Sequence, residues 1–256
     1  MNPDGSAAGI DGDSGVPAMS GLGRFYELVV ACRGEPHPDS GYLVNIKAID
    51  RAVRSAAVPL IAAACRERPT THPGVLLPEI ARATAASLPV DLESVRWNLS
   101  PHLSMEVRVP TTNPPAVLVR QHFDLACAHR LHDPKLTDEQ NREVFGKCNN
   151  PNGHGHNYRV EPCVRVGFSD AGDPALTVLE LESVVDAAIV HPFDHTHLNE
   201  DTREFAPGTG LNPSVENIAR VFYERLAPAV RGASGLAELV SVTVWETDRT
   251  CCTYPG

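Results

Sequence analysis

The chain has 256 residues and a formal net charge of −10, and 42% of its residues are hydrophobic. That length accommodates one large domain or two small ones, each able to bury a core. The acidic balance argues against nonspecific nucleic-acid binding, and no apolar run reaches the ~18 residues that a membrane span needs. Seven scattered cysteines, an odd number, favour reduced thiols and a cytoplasmic location over a disulfide framework.

The first half of the chain predicts a tail followed by a small mixed domain. Residues 1–20 are rich in Gly, Ser, Ala and Asp, which predicts a disordered tail and not a signal peptide. β-branched runs and helical periodicity then predict a strand, two helices and a strand, at 25–31, 45–65, 75–88 and 94–98. The proline-rich segment Pro110–Pro115 resists helix and sheet, so it is predicted to be a linker.

The second half predicts two strands, two helices and a closing hairpin. The strands are expected at 116–129 and 157–166, the helices at 177–190 and 214–226, and the hairpin at 239–245 and 251–254. Ser214 is a natural N-cap for the second helix, which carries an apolar stripe at helical spacing. This order indicates an α+β fold, an antiparallel sheet with a pair of helices on one face.

A short segment with a cysteine and two alternate histidines suggests a metal site. Residues i and i+2 of a strand point to the same face, so His154 and His156 can aim at one point, and His129 could supply a third ligand. Three histidines leave one tetrahedral position of a zinc ion open, as in catalytic zinc sites. Cys148 would be the reactive group beside the metal. A His-X-His pair alone is weak, since Gly- and Asn-rich segments are also ordinary loops.

Several motifs together resemble the 6-pyruvoyl-tetrahydropterin synthase / 6-carboxy-tetrahydropterin synthase family. They lie in the family's order within about residues 117–256: Phe123–His132, Val144–Cys148, Gly153–His156, Asp194–Asn199, Ser214–Asn217 and Trp245–Asp248. The resemblance implies the tunnelling fold, or T-fold, and a Zn²⁺ cofactor held by His129, His154 and His156. It also implies a homo-oligomer, whose sheets close into a barrel with active sites at unit interfaces.

The resemblance also implies residue roles. Cys148 would be the general base, and Asp194 and His195 a proton relay supplied across the interface. Glu246 would anchor the pterin through paired hydrogen bonds, assisted by Ser214 and Glu216. Val215 lacks the hydroxyl of typical members, which puts help from that position in doubt.

The reaction so implied converts 7,8-dihydroneopterin triphosphate to 6-pyruvoyl-5,6,7,8-tetrahydropterin and triphosphate, without nicotinamide. The alternative is 6-carboxy-tetrahydropterin synthase, which usually spaces its cysteine closer to the first ligand histidine than the six positions found here. A noncatalytic pterin-binding protein is the third alternative, disfavoured because all the reactive residues are retained.

The first half shows weak echoes of the second, in the same order. Gly21–Tyr26 stands where a copy of Gly153–Tyr158 would be, with Leu22 and Arg24 in place of the ligand histidines. Ser94–Asn98 resembles Ser241–Glu246 with one residue dropped, which places Asn98 at the position of Glu246. These echoes predict two tandem T-fold units: a degenerate unit at 21–110 without a metal site and a catalytic unit at 111–256. An unrelated helical and hairpin domain is the alternative.

Overall fold

The computed structural model describes residues 26–111 and 115–256, which divide into two units. The first unit comprises the described residues up to Val119 together with Gly167–Pro174, and the second comprises Arg120–Val166 and Ala175–Gly256. The division therefore falls later in the chain than the predicted boundary at residue 110. The predicted tail at 1–20, Leu22, Arg24 and the middle of the predicted linker lie outside the described residues.

The first unit is a three-stranded antiparallel meander with two helices inserted after its first strand. Its elements are β1 Glu27–Arg33, α1 Ile46–Glu67, α2 Pro73–Ser87, β2 Asp91–Ser100 and β3 Leu103–Arg108, and β4 Ala116–Gln121 leads out of it. β2 pairs with both β1 and β3. Asn45 caps α1 by accepting from the backbone of Lys47, and Pro73 occupies the first position of α2, where its missing N–H is not needed. The two predicted strands and the two predicted helices lie close to their predicted bounds, while β3 was not predicted.

The second unit is an antiparallel sheet with helices between its strands. Its strands are β5 Phe123–His129, β6 His154–Gly167, β7 Thr196–His197, β8 Ala237–Thr247 and β9 Thr250–Tyr254. Their order is β7-β5-β6-β8-β9; the short β5–β7 pair is parallel and the other pairs are antiparallel. The helices are α3 Asp138–Phe145, α4 Val178–Val185, α5 His191–Phe193, α6 Leu198–Asp201 and α7 Val215–Ala233, with a 3-10 turn Gly146–Asn149 and a π-helical turn Asp186–Val190.

Local sequence accounts for most of these boundaries. Thr177 forms a capping box with Glu180, so α4 begins where the prediction places the start of this helix. The predicted strand at 116–129 is divided at His122 into β4 and β5, and β6 begins three residues earlier than predicted, at His154. The helix α3 was not predicted.

Helix α7 closes the core of the second unit. Its apolar stripe is buried as predicted, and the buried set comprises Val215, Ile218, Ala219, Val221, Phe222, Leu226 and Val230. The helix packs against β8 and β9, and each such large apolar side chain contributes roughly 1.5–3 kcal/mol on burial. Among the described residues, no helix has the length and apolar character needed to cross a bilayer.

The two units share a strand order and two irregularities. In the first unit the β1–β2 register shifts after Ala31, which pairs with Ser94; in the second the β6–β8 register shifts after Cys163, which pairs with Ser241. A second shift follows Asn98 in the β2–β3 pair and Trp245 in the β8–β9 pair. Both shifts coincide when the strands are aligned without a gap.

This alignment corrects one expectation from the sequence. Counting along the strands from Ser94 and Ser241, Asn98 corresponds to Trp245, and Leu99 corresponds to Glu246. No residue is dropped between the two strands, so the prediction that Asn98 stands at the position of Glu246 was wrong by one residue. The prediction matched Trp97 with Trp245 by residue type, whereas the hydrogen-bond register matches Asn98 with Trp245.

Candidate metal and active site

Strands β5 and β6 bring the three predicted histidines together. The register pairs His129 with His154 and Cys127 with His156. Because side chains alternate along each strand, all four residues lie on one face of the sheet. The expected convergence of His129, His154 and His156 is therefore present, and Glu246 of β8 joins them within a group whose ligand atoms all lie within 4.8 Å of one another.

The distances in this cluster suit a tetrahedral ion. His129 Nε2 lies 3.1 Å from His154 Nε2, and Glu246 Oε1 lies 3.4 Å from Nε2 of both His129 and His156. Zinc with ligands at about 2.0–2.1 Å has ligand-to-ligand edges of about 3.3–3.4 Å. His156 Nε2 is buried and has no hydrogen-bond partner among the described residues, because its contact with Glu246 lacks hydrogen-bond geometry. The donor set and this free nitrogen fit a zinc ion.

The surroundings of His129 fix its tautomer. Its side chain is fully buried, and its Nδ1 lies 2.7 Å from the carbonyl oxygen of Pro213, which can only accept a hydrogen bond. Nδ1 therefore carries the proton, and the Nε2 lone pair faces the cluster, an arrangement typical of metal-binding histidines. The pKa of His129 is lowered to about 4, mainly by burial; the Pro213 hydrogen bond opposes this lowering and the neighbouring histidines add to it. The imidazole is thus neutral and able to bind a metal at physiological pH.

Two of the groups that support this histidine were not predicted. The Tyr158 hydroxyl lies 3.4 Å from both ring nitrogens of His129, and the side chain is buried. Tyr158 continues the alternation of His154 and His156, so strand periodicity could have placed it beside the cluster. Pro213 contributes only a backbone carbonyl, and no sequence signal marks it.

Glu246 lies closer to the histidines than expected for a residue that only anchors substrate. Its carboxylate could complete the metal's ligands or hold a substrate beside the metal, and its predicted anchoring role stays a prediction. Ser214 caps α7 by accepting from the backbone of Asn217 and follows Pro213, so the start of this helix borders the cluster. Glu216 is exposed on the first turn of α7.

Cys148 lies in the 3-10 turn between α3 and β6, half-buried. Burial and the nearby Glu246 carboxylate both raise the pKa of its thiol. The protein groups around Cys148 therefore disfavour the thiolate, so a neighbouring cation is required to favour it.

The Asp194–His195 pair lies beside β5, immediately before the short strand β7. Asp194 accepts a hydrogen bond from the backbone N–H of Ala126, a 2.8 Å contact that is the main reason its pKa is lowered, and Asp194 also holds His195 Nδ1 at 2.7 Å. The His195 backbone N–H donates to the Ala126 carbonyl at 2.6 Å, and the open groove beside the pair is lined by residues 195–197 together with residues 126–128 and 155–157, which include His156. The side-chain hydrogen bonds of Asp194 and His195 thus go to the Ala126 backbone and to each other.

The backbone of His195 supports a functional role for this pair. His195 has a φ of +58° although it is not glycine, and its side chain is 81% exposed. A left-handed conformation costs a non-glycine residue about 1–2 kcal/mol, and such outliers cluster at functional sites. His195 thus combines a strained backbone with a solvent-exposed imidazole that is hydrogen-bonded to the Asp194 carboxylate.

Together, the sheet and the histidine cluster define an α+β protein with a group of side chains that could hold a metal ion. The family model for 6-pyruvoyl tetrahydropterin synthase matches residues 118–256. A 6-pyruvoyl tetrahydrobiopterin synthase from Poecilia reticulata is 35% identical over 148 residues, 56% of this chain and 95% of that protein. The solved structure of the 6-pyruvoyl tetrahydropterin synthase from Caenorhabditis elegans is 32% identical, with a TM-score of 0.50 over 56% of this chain and 96% of that chain. A 6-carboxy-5,6,7,8-tetrahydropterin synthase from Haemophilus influenzae is 25% identical over 126 residues, 43% of this chain and 84% of that protein.

The chain therefore belongs to the 6-pyruvoyl tetrahydropterin synthase family. The predictions of this family and of an enzyme of its lyase class are confirmed. The matched segment coincides with β4 to the C-terminus, and the family model does not extend into the first unit's earlier elements.

Proposed function

We propose that this protein converts 7,8-dihydroneopterin triphosphate to 6-pyruvoyl-5,6,7,8-tetrahydropterin and triphosphate. The observation that carries the proposal is the convergence of His129, His154, His156 and Glu246, close to Cys148, in a member of this family. In the reaction, triphosphate is eliminated, the side-chain hydroxyls become ketones, and the ring is reduced by internal proton shifts.

His129, His154 and His156 would hold zinc in this site. When bound, the ion would polarise substrate hydroxyls and lower their pKa. The buried His129, locked by Pro213, provides a ligand that is neutral and oriented before any metal arrives. Glu246 would bind the amino-pyrimidinone edge of the pterin through its two oxygens, with Ser214 and Glu216 assisting from the start of α7.

Cys148 would take the proton from carbon. Its own surroundings raise the pKa of the thiol, so its activity as a base depends on the positive charge of the occupied site. This dependence would couple the base to the metal, because the positive charge of a bound ion would favour the thiolate.

Asp194 and His195 would serve the site of a neighbouring subunit. Within one chain their side-chain hydrogen bonds go to the Ala126 backbone and to each other, and the His195 side chain is 81% exposed. Among the described residues β9 pairs with β8 alone, so its outer edge offers backbone groups that a second copy could cover, which supports closure of the sheets into a barrel by oligomerisation. The protein would then be a homo-oligomer with its active sites at interfaces.

The first unit would be a degenerate copy of the catalytic one. The shared strand order and the two coinciding register shifts support duplication. Leu99 at the position of Glu246 supports loss of the site, because a leucine side chain has no atom that could bind a metal or accept a hydrogen bond. A single zinc ion per chain is therefore expected. Measurement of zinc by atomic absorption on the purified protein tests this expectation, and two ions per chain would contradict it.

Two other functions remain as alternatives. The 25% identical Haemophilus influenzae protein keeps 6-carboxy-tetrahydropterin synthesis as the second candidate, although the six-position spacing from Cys148 to His154 favours the pyruvoyl product. A noncatalytic pterin-binding protein is disfavoured by the retained cysteine and metal cluster.

Incubation of the zinc-loaded protein with 7,8-dihydroneopterin triphosphate, followed by mass spectrometry, tests the proposal. A 6-pyruvoyl product with release of triphosphate is expected. A 6-carboxy product would establish the second candidate, and unchanged substrate would contradict catalysis.

A further inference from the structure

The 3-10 turn that carries Cys148 is hydrogen-bonded to residues 130–132, which directly follow β5. The backbone N–H of Leu131 donates to the carbonyl of Cys148 at 2.9 Å. From the same segment after β5, the side chains of Arg130 and His132 contact Asn149, the residue after Cys148 in the turn. The position of the thiol relative to the metal ligand His129 therefore depends on a few contacts around Asn149.

Asn149 is the buried centre of these contacts, with 8% of its surface exposed. Its Oδ1 lies 3.2 Å from Arg130 Nη2 and 3.0 Å from His132 Nδ1. A guanidinium has donors only, so the atom that faces it must be the amide oxygen. That oxygen accepts from Arg130. His132 Nδ1 lies 3.3 Å from the same Arg130 nitrogen, so it either donates to Asn149 or accepts from Arg130, according to its tautomer.

Arg130 is itself held from a third element. Its backbone N–H donates to Asn199 Oδ1 at 2.7 Å, and Asn199 Nδ2 donates back to the Arg130 carbonyl at 3.1 Å. Asn199 belongs to α6, which follows β7 directly. These two hydrogen bonds fix the Arg130 backbone, so its guanidinium is held in position to donate to Asn149.

We propose that Asn149 is a positioning residue that holds Cys148 in its reactive place, through the amide oxygen that accepts from Arg130 and contacts His132. The proposal rests on the proposed role of Cys148 as the base. Asn149 contacts neither metal nor substrate in this scheme; it sets where the thiol stands. Misplacement of a reacting group by about 1 Å can cost on the order of 100-fold in rate.

The test compares two substitutions of Asn149 with a matched control. Asn149→Ala removes the acceptor, and its kcat should fall roughly 10- to 100-fold with little change in KM. Asn149→Asp keeps an acceptor oxygen of the same shape, and its kcat on the plateau of the pH profile should stay within a few-fold of the parent.

The control is Asn141→Ala. Asn141 is also fully buried, and it makes more hydrogen bonds: it donates to the carbonyls of Asp133, Leu136 and Thr137 and accepts from the backbone of Asp133. None of these partners lies in the turn of Cys148. A purely structural account predicts a larger loss of Tm and of activity for Asn141→Ala than for Asn149→Ala. The positioning account predicts the larger loss of Tm for Asn141→Ala but the larger loss of kcat for Asn149→Ala.

Two further measurements keep the outcomes distinct. Alkylation of Cys148 by iodoacetamide, followed by site-resolved mass spectrometry, needs no turnover; it should be several-fold faster in Asn149→Ala and unchanged in Asn149→Asp. Zinc content should match the parent in both, and zinc loss in Asn149→Ala would overturn the proposal in favour of support for the metal site. Equal kcat losses in the Ala and Asp variants of Asn149, or none in either, would also overturn it. Full turnover by Cys148→Ala would instead reject the proposed base, whereas an inactive Cys148→Ala beside a fully active Asn149→Ala would reject the positioning role alone.

Discussion

Gly153, immediately before the first ligand of β6, is the position where a single methyl group should disturb the metal site most. Its φ is +69°, and a Cβ built there would lie 2.5 Å from His197 Nε2 and 3.0 Å from the backbone oxygen of His129. The His197 ring is the end of a side chain and can move aside. The His129 carbonyl belongs to β5, so moving it displaces one of the proposed metal ligands.

The magnitude for Gly153→Ala follows from two separate costs. The left-handed backbone conformation costs about 1–2 kcal/mol for alanine, and the overpacking adds about 1–3 kcal/mol. The substitution should therefore lower the free energy of unfolding by about 2–5 kcal/mol. Zinc affinity should fall roughly 10-fold or more, because His129 and His154 can no longer keep their spacing.

Gly208→Ala supplies the matched control in the same unit. Gly208 has a φ of +80° with no heavy atom within 4 Å of the point that a Cβ would occupy, so alanine there meets only the backbone cost of about 1–2 kcal/mol. Urea denaturation gives the two stability changes, and competition with a chromophoric chelator gives the zinc affinities. Equal destabilisation by the two substitutions, together with undiminished zinc affinity in Gly153→Ala, would refute the reasoning.

The remaining predictions concern the roles assigned around the cluster. Glu246→Ala should keep one zinc per chain while kcat/KM falls roughly 10- to 100-fold, as expected for loss of charged hydrogen bonds to substrate; weakened zinc binding measured by chelator competition would instead make Glu246 a fourth ligand. Asp194→Asn and Cys148→Ala should each be inactive alone, yet an equal mixture that is unfolded and reassembled should recover about one quarter of the parent activity, since random subunits form that share of intact sites. No recovery in the mixture would show that the Asp–His pair does not act across an interface.

Local patterns in the sequence were sufficient to predict that His154 and His156 lie on one face of a strand. The alternation of His154 and His156 has the period of a strand, and a strand fixes which residues share a face whatever its partners are. The apolar stripe of α7 and the capping box at Thr177 likewise depend on neighbours within a few residues, and both lie in helices that were predicted. His129 was added as a possible third ligand, and the family resemblance of the motifs, not local periodicity, supported its inclusion.

Only the tertiary structure decided the contacts that depend on register between distant strands. The distance of Glu246 from the histidines depends on how β8 pairs with β6, and the correspondence of Leu99 with Glu246 depends on two register shifts; neither leaves a trace in residue type. The Pro213 carbonyl that orients His129 is a backbone atom, which composition cannot reveal. Adjacency in sequence said equally little about where the Asp194–His195 pair lies, which the pairing of β7 with β5 decides. The sequence thus predicted which groups would carry the chemistry, and the pairing of the strands decided which of them meet in one chain.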